Sequence, residues 1–200
     1  MSYKKTVKGE AKVRVITGSA RGRRLTAPEG YEVRPTADKV KEAIFSAIQF
    51  DINDAYVLDL FAGSGQMGIE ALSRGAKYGI FVDSCARSVR VINENLKVTK
   101  LDKYSEVITK DSYEYIKYTT RMFDIIILDP PFSRGHIENI LPFAAKKLNG
   151  GGYIICEYET TADEPVPPEG LDIKKTYKYG NVHVTILYKR GAEGCPKNEK

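Results

Sequence analysis

What the sequence lacks narrows its chemistry before any motif is read. There is no tryptophan, and the only two histidines, His136 and His183, stand far apart with no partner pattern, so solvated loop and strand positions are expected for them. Cys85, Cys156 and Cys195 are an odd set without a CxxC pair or a neighbouring histidine cluster. Neither a disulfide framework nor a zinc site is expected from them, no metal is assigned, and a reducing cytoplasm is the default compartment. No apolar run approaches the roughly 20 residues that span a bilayer, and Met1-Ser2-Tyr3-Lys4-Lys5 lacks the apolar stretch of an export signal. The expectation is a soluble cytoplasmic protein with no membrane partner, a monomer by default.

What is present fits one domain with a full core and a small appendage: 200 residues, 42% of them hydrophobic, with no internal repeat. The net charge of +5 is unevenly spread. Lys4, Lys5, Lys8, Lys12, Arg14, Arg21, Arg23, Arg24 and Arg34 crowd the first segment against Glu10, Glu29 and Glu32. A basic arm on a near-neutral body favours a polyanionic partner. For Lys4 to Lys8 a solubilising tail accounts for the charge equally well.

Four segments are expected. Residues 1–11 read as a flexible basic tail and 191–200 as a disordered one. Residues 12–34 read as a basic β-hairpin and linker: Val13, Val15 and Thr17 alternate with Lys12, Arg14 and Ile16 before the turn residues Gly18-Ser19-Ala20-Arg21-Gly22 and the strand Arg23-Arg24-Leu25-Thr26. Residues 35–190 form the main domain. It opens with a helix whose buried face is Val40, Ala43, Ile44, Ala47 and Ile48. Strands then alternate with helices: Val57–Leu60, helix from Gly68, Gly79–Asp83, helix through Val89, Ile92 and Leu96, Glu106–Thr109, helix from Ser112, Phe123–Leu128, helix through Ile137 to Ala144. Asn149-Gly150-Gly151-Gly152 is read as stopping that last helix before the strand Tyr153–Glu157. This rhythm predicts an α/β, Rossmann-like fold with a mostly parallel sheet covered on both faces. Asp172–Tyr179, Gly180-Asn181 and Val182–Tyr188 predict an antiparallel C-terminal hairpin.

Three constellations carry chemistry. Asp129-Pro130-Pro131-Phe132 follows the apolar strand Phe123–Leu128, so an acid, proline carbonyls and an aromatic face stand at a strand end. Acceptor, acceptor and aromatic suit a flat base bearing an amino group, whereas a strand cap with a core aromatic is the bland alternative. Asp59-Leu60-Phe61-Ala62-Gly63-Ser64-Gly65-Gln66-Met67-Gly68 is a glycine loop between strand and helix. Gly63, Gly65 and Gly68 also match a nicotinamide fingerprint. Asp59 favours instead a ligand with an α-ammonium and a carboxylate, the loop amides receiving the carboxylate. Third, Asp83-Ser84 and Asp111-Ser112 end the next two strands. Asp83 either accepts ribose hydroxyls or, like Ser84, caps a helix. Asp111 either meets an adenine amino group or, with Glu114, forms a capping box.

Val57–Gly65, Phe81-Val82-Asp83-Ser84 and Asp129-Pro130-Pro131-Phe132 together resemble S-adenosylmethionine-dependent amino-methyltransferases. Arg14-Val15-Ile16-Thr17-Gly18, Gly22-Arg23-Arg24-Leu25, Pro28, Arg34-Pro35-Thr36, Val40-Lys41-Glu42-Ala43 and Glu70-Ala71-Leu72-Ser73-Arg74-Gly75-Ala76 narrow the resemblance to the bacterial RsmD family. The match runs from about Lys12 to Lys189. It implies a class I methyltransferase fold with a seven-stranded sheet, and methylation of a guanine N2 amino group in small-subunit (16S) ribosomal RNA, within an assembling subunit. It further implies S-adenosylmethionine held by Asp59, Phe61, Ala62, Gly63, Ser64, Gly65, Asp83, Ser84, Asp111 and Ser112, with Arg34 and Thr36 closing over it. Arg34 at an RNA phosphate and Thr36 as a helix cap are the other readings of those two. Phe132 stands where tyrosine is commoner in the family, which keeps the stacking face and drops the phenol oxygen.

Asp129, Pro130 and Phe132 are the catalytic expectation, with Glu157 a weaker site residue. Arg21, Arg23 and Arg24 are the RNA-phosphate contacts. Tyr113, Tyr115 and Tyr118 read as packing and surface. Adenine-N6 methylation of DNA or RNA uses the same tetrad and remains open, as does a non-catalytic RNA-binding module that kept the fold. A nicotinamide oxidoreductase is a distant further reading.

Overall fold

A computed structural model describes residues 13–28, 38–131 and 136–191. The two tails expected at 1–11 and 191–200 lie outside the described residues, apart from Gly191, as do Arg34, Pro35, Thr36 and Phe132.

Chain order is β1 (Val13–Arg14), β2 (Arg24–Leu25), α1 (Asp38–Ala47), β3 (Tyr56–Asp59), α2 (Gln66–Ser73), β4 (Tyr78–Asp83), α3 (Ala86–Thr99), β5 (Ser105–Thr109), α4 (Ser112–Tyr118), β6 (Phe123–Leu128), α5 (His136–Lys147), β7 (Leu148–Glu159), β8 (Leu171–Tyr179) and β9 (Val182–Lys189). The seven-stranded sheet runs β5-β4-β3-β6-β7-β9-β8, and β1 and β2 form a separate antiparallel pair. β3 to β7 are parallel, while β9 is antiparallel to both β7 and β8. The expected architecture is therefore present, including the small N-terminal hairpin.

The apolar strand runs are buried because both faces are covered, as parallel sheets require. Ile125, Ile127 and Ile155 join α1, α2 and α3 residues on one face, while Leu58, Ile126, Leu128 and Ile154 meet α4 and α5 on the other. Chain order reverses at β3: β4 and β5 build outward on one side, then β6 returns to pair on the other. Ligands of open α/β sheets bind outside the carboxyl ends at such a switch point.

Two expectations need correction. Asn149 to Gly152 do not stop a helix before a separate strand; they lie inside β7, where the register with β6 shifts between Phe123 and Ile125. A Cβ on Gly152 would come within 2.6 Å of the Asp124 carbonyl oxygen, so glycine there allows strand contact rather than chain reversal. On α1, Ala43 and Ala47 are half-buried, and the innermost positions are Val40, Lys41, Ile44 and Phe45.

Lys41 is buried because the N-terminal hairpin docks over it. Its Nζ donates to the Arg14 carbonyl at 2.8 Å and lies 3.7 Å from Asp38, while burial lowers its pKa against the pull of Glu70 and Asp38. Glu70 of α2, fully buried, accepts the Ile16 and Thr17 amides at 2.7 and 3.0 Å and Arg74 Nε at 2.8 Å. A two-residue pair of strands has too little of its own to stay folded, and these bonds hold it to the domain. Asn95 of α3 adds a second tie, accepting from Thr26 N and donating to the Thr26 and Ser64 carbonyls.

Glu70→Ala removes the acceptor of three donors at the partly buried seam between hairpin and domain. It should lower stability by about 3 kcal/mol in urea denaturation, and amide exchange at Ile16 and Thr17 should accelerate.

Candidate active site

A cavity of about 370 Å³ opens at the carboxyl rim around the switch point. Its walls bring together Asp59 from the end of β3, the loop residues Phe61 to Ser64, Asp83 at the end of β4 and Ser84 after it, Asp111 and Ser112 after β5, Asp129, Pro130 and Pro131 after β6, and Glu157 of β7. Of the expected site residues, Gly65 does not line it; it caps α2 with a left-handed backbone. Arg21, Arg23 and Arg24 are exposed on the hairpin.

The glycine loop is braced from within. Gly68 N donates to Asp59 Oδ2 at 2.9 Å, Gly63 N to Asp83 Oδ2 at 2.8 Å, and Gly65 N to the Ala62 carbonyl at 2.6 Å. These three amides are therefore already used, which corrects the expectation that they receive a ligand carboxylate. Gly68 is glycine for contact, since a Cβ there would meet the Phe81 ring at 2.4 Å and hold α2 off the sheet. Asp83 does not cap α3: Cys85 is the cap residue, and Asp83 Oδ1 accepts its amide at 2.8 Å. Both Asp83 oxygens are thus aimed by backbone donors. Asp111 does cap α4, accepting from Glu114 N at 3.0 Å, and lines the cavity as well. Ser112, buried, donates through Oγ to the Leu60 carbonyl and tethers α4 to the loop.

Four further residues line the cavity: Pro28, Gln66, Met67 and His136. Gln66 and Met67 follow the glycines in the first turn of α2, a position the fingerprint itself could have flagged. His136 is the first residue of α5, its ring edge-on to Phe61 at 6.2 Å, and not a loop position. His183, in β9, packs edge-on against Tyr158. Tyr115 is buried, Tyr113 packs on Phe143 and Tyr118 is exposed.

The electrostatics are those of crowded acids in a dry wall. Burial raises the Asp59 pKa to about 7; the Gly68 hydrogen bond opposes the shift and the Asp83 charge adds to it. Asp129 is held well above the usual carboxylate range by burial first, then by the Glu157 and Asp59 charges. Gln66 Oε1 is buried without a hydrogen-bond partner in the same wall. Raised acids beside an orphaned acceptor form a receptor for a cation with N–H donors. Among the described residues no group of histidine, cysteine, aspartate and glutamate could hold a metal ion.

A family model described as conserved hypothetical protein 95 matches residues 13–188. Ribosomal RNA small subunit methyltransferase D of Escherichia coli K12 is 31% identical over 188 residues, covering 93% of this chain and 94% of its own. The chain belongs to the RsmD family. Within that family, YlbH of Bacillus subtilis, named an rRNA methyltransferase, is 37% identical over 184 residues, 90% of this chain and all of YlbH. A solved structure of Escherichia coli yhhF, named a methyltransferase, superposes with a TM-score of 0.81 at 29% identity, covering 90% of this chain and 99% of that one.

The raised Asp59 acid has a measurable consequence. Without ligand, the folded chain keeps a proton that the unfolded chain loses near pH 4, so this group's contribution to stability falls as pH rises from about 4 to about 7. A cation bound beside Asp59 favours the carboxylate and expels the proton. Affinity for S-adenosylmethionine should therefore rise with pH through about 7. Calorimetry in buffers of differing ionisation enthalpy should detect proton release below that pH, and Asp59→Asn should weaken binding about 10- to 100-fold and abolish the proton release.

Proposed function

We propose that this protein transfers the methyl group of S-adenosylmethionine to the N2 amino group of a guanine in small-subunit (16S) ribosomal RNA. The observation that carries the reading is Asp129-Pro130 at the end of β6, in one cavity with Asp59 at the end of the adjacent strand β3. Family membership supports the RNA substrate.

The residues fit the cofactor. Asp59 and Gln66 Oε1 suit the amino-acid ammonium, Asp83 the ribose hydroxyls, and Asp111 the adenine amino group. When bound, S-adenosylmethionine supplies an electrophilic sulfonium methyl. The protein's task is to make a poor nucleophile attack it, because the guanine amino lone pair is delocalised into the ring. The Asp129 carboxylate and the Pro130 carbonyl accept the two N–H groups, which lets the nitrogen pyramidalise, and Asp129 stabilises the charge that grows there. An N–C bond forms as the S–C bond breaks, and the surplus nitrogen proton passes to Asp129. Once a bound cation has favoured its ionised form, an acid whose pKa is raised by burial and by Glu157 is a better acceptor for that proton than an ordinary aspartate.

In this reading Phe132 stacks on the base, and Arg34 and Thr36 close the cofactor side. The division of labour is a basic hairpin and linker over 12–34 for RNA and a methyltransferase domain over 35–190 for chemistry. The protein works as a monomer in the cytoplasm, on an assembling subunit. Adenine-N6 methylation would use the same tetrad; the relatives named for small-subunit ribosomal RNA weigh against it. The complete acid rim weighs against a module without catalysis.

Labelled methyl donor with undermethylated small subunits should yield N2-methylguanine on nucleoside analysis; N6-methyladenine or no product would refute the assignment. Asp129→Ala should reduce turnover by about 1,000-fold or more, with S-adenosylmethionine binding retained and melting unchanged or raised, because a strained acid is removed. Turnover near that of the unaltered protein would end the role given to Asp129.

Neutralising Arg21, Arg23 and Arg24 together should weaken RNA binding and flatten its salt dependence by roughly three phosphate contacts. An unchanged salt slope would show that the hairpin is not the RNA arm.

A further inference from the structure

The carboxyl rim continues past the cavity. β8 and β7 are both antiparallel to β9, so they run in the same direction, and β8 ends at the rim that carries Asp129 and Glu157. The register is specific. Glu157 pairs with Val184 and Val184 with Tyr177; in the row above, Glu159 pairs with Val182 and Val182 with Tyr179. Paired residues on neighbouring strands project to one face, so both tyrosines stand on the face that Glu157 presents to the cavity.

Their rings are stacked, 18° from parallel with centroids 6.1 Å apart. Lys175 Nζ sits 5.0 Å from the Tyr177 ring centroid, and Tyr177 Oη donates to the Ala43 carbonyl of α1 at 3.3 Å. Lysine, tyrosine and tyrosine thus form a column along the edge strand, anchored to α1 and ending at the rim with half-buried Tyr179. Lys178 is exposed on the opposite face, and Lys174, also exposed, donates through Nζ to Tyr153 Oη at 3.2 Å. Lysines on an edge strand also discourage strand-to-strand association, and both tyrosines pack against the core below them, but neither role requires two near-parallel rings at the rim.

We infer that Tyr177 and Tyr179 form a stacking platform for a nucleobase flanking the target in single-stranded RNA. The inference rests on the reading that RNA is the substrate. Three strand spacings, about 14 Å, separate β8 from β6. That is too far for the base presented to Asp129 and suits a neighbour a few nucleotides along the strand. Aromatic faces take any base, and the exposed Lys175 ammonium on the same face meets the backbone phosphates. The platform therefore adds affinity without reading sequence.

The absence of tryptophan supplies the test. Tyr179→Trp places a single indole on the platform, whose fluorescence a single-stranded oligoadenylate should quench and an abasic oligomer of equal length and charge should not. Tyr179→Leu keeps apolar packing and loses the ring face. Its KM for undermethylated small subunits should rise about tenfold, with kcat, S-adenosylmethionine affinity and melting temperature unchanged, whereas Tyr179→Phe should match the unaltered protein. Equal quenching by the abasic oligomer, or a Tyr179→Leu KM within about twofold of the original, would overturn the platform. Failure of the unaltered protein to methylate RNA would defeat the substrate reading instead, and the quenching comparison, which needs no turnover, would still decide the platform.

Discussion

Parallel pairing in one register is the constraint on which the site depends. Asp59 pairs with Ile127 and Phe81, Asp83 with Thr109, and Leu128 with Cys156, so Asp83, Asp129 and Glu157 stand just beyond the row of Asp59 on neighbouring strands. A slip of one residue would turn every side chain to the other face. The buried isoleucines of β6 prevent that slip, because their alternate members pack into two separate cores. The same apolar contacts that stabilise the sheet therefore fix where the carboxylates stand.

Those carboxylates are costly. Burial and mutual repulsion push Asp59 and Asp129 away from ionisation, so the ligand-free rim is held at the expense of stability near neutral pH. The strain has a direction: a positively charged, N–H-bearing ligand relieves it. Backbone donors from Gly63, Gly68 and Cys85 hold the acids in place without supplying a competing positive side chain. Arginine or lysine would have neutralised the rim and removed its preference for a cation.

Much of this was legible in the sequence because β-branched runs ended by Asp, Gly or Pro mark both strand and rim. Asp59, Asp83, Asp111 and Asp129 could be placed on neighbouring strand ends from that pattern alone. What escaped has physical reasons. The glycines at 150–152 look like punctuation, but a parallel strand with an irregular register needs small residues where the neighbouring carbonyl approaches. Lys41 and Glu70 look like surface charges on amphipathic helices; only the docked hairpin, packed from far along the chain, buries them. Gln66 and His136 belong to the cavity because each opens a helix at the rim, and periodicity does not distinguish a helix start from the loop before it. The loop amides look free for a ligand in the sequence, but Asp59, Asp83 and the Ala62 carbonyl take those of Gly68, Gly63 and Gly65.

Chemistry and substrate choice are carried by different parts of the molecule, joined by few residues. Asp129, Pro130 and the acid rim sit at strand ends around one cavity, and in the proposed reading they act on the exocyclic amine brought to them. In that reading, holding the RNA falls to elements at the margins: the basic hairpin docked on α2 and α3, and the lysine and tyrosine column on β8. Asn95 ties Thr26, at the end of the hairpin, to Ser64 in the glycine loop, and Tyr177 ties β8 to α1. Each margin is thus fastened to the frame that holds the cofactor side of the site. In the proposed reading one RNA contacts both the hairpin, docked on α2 and α3, and β8 at the edge of the seven-stranded sheet. Two such contacts, each weak and sequence-tolerant, would position one base with accuracy that neither has alone.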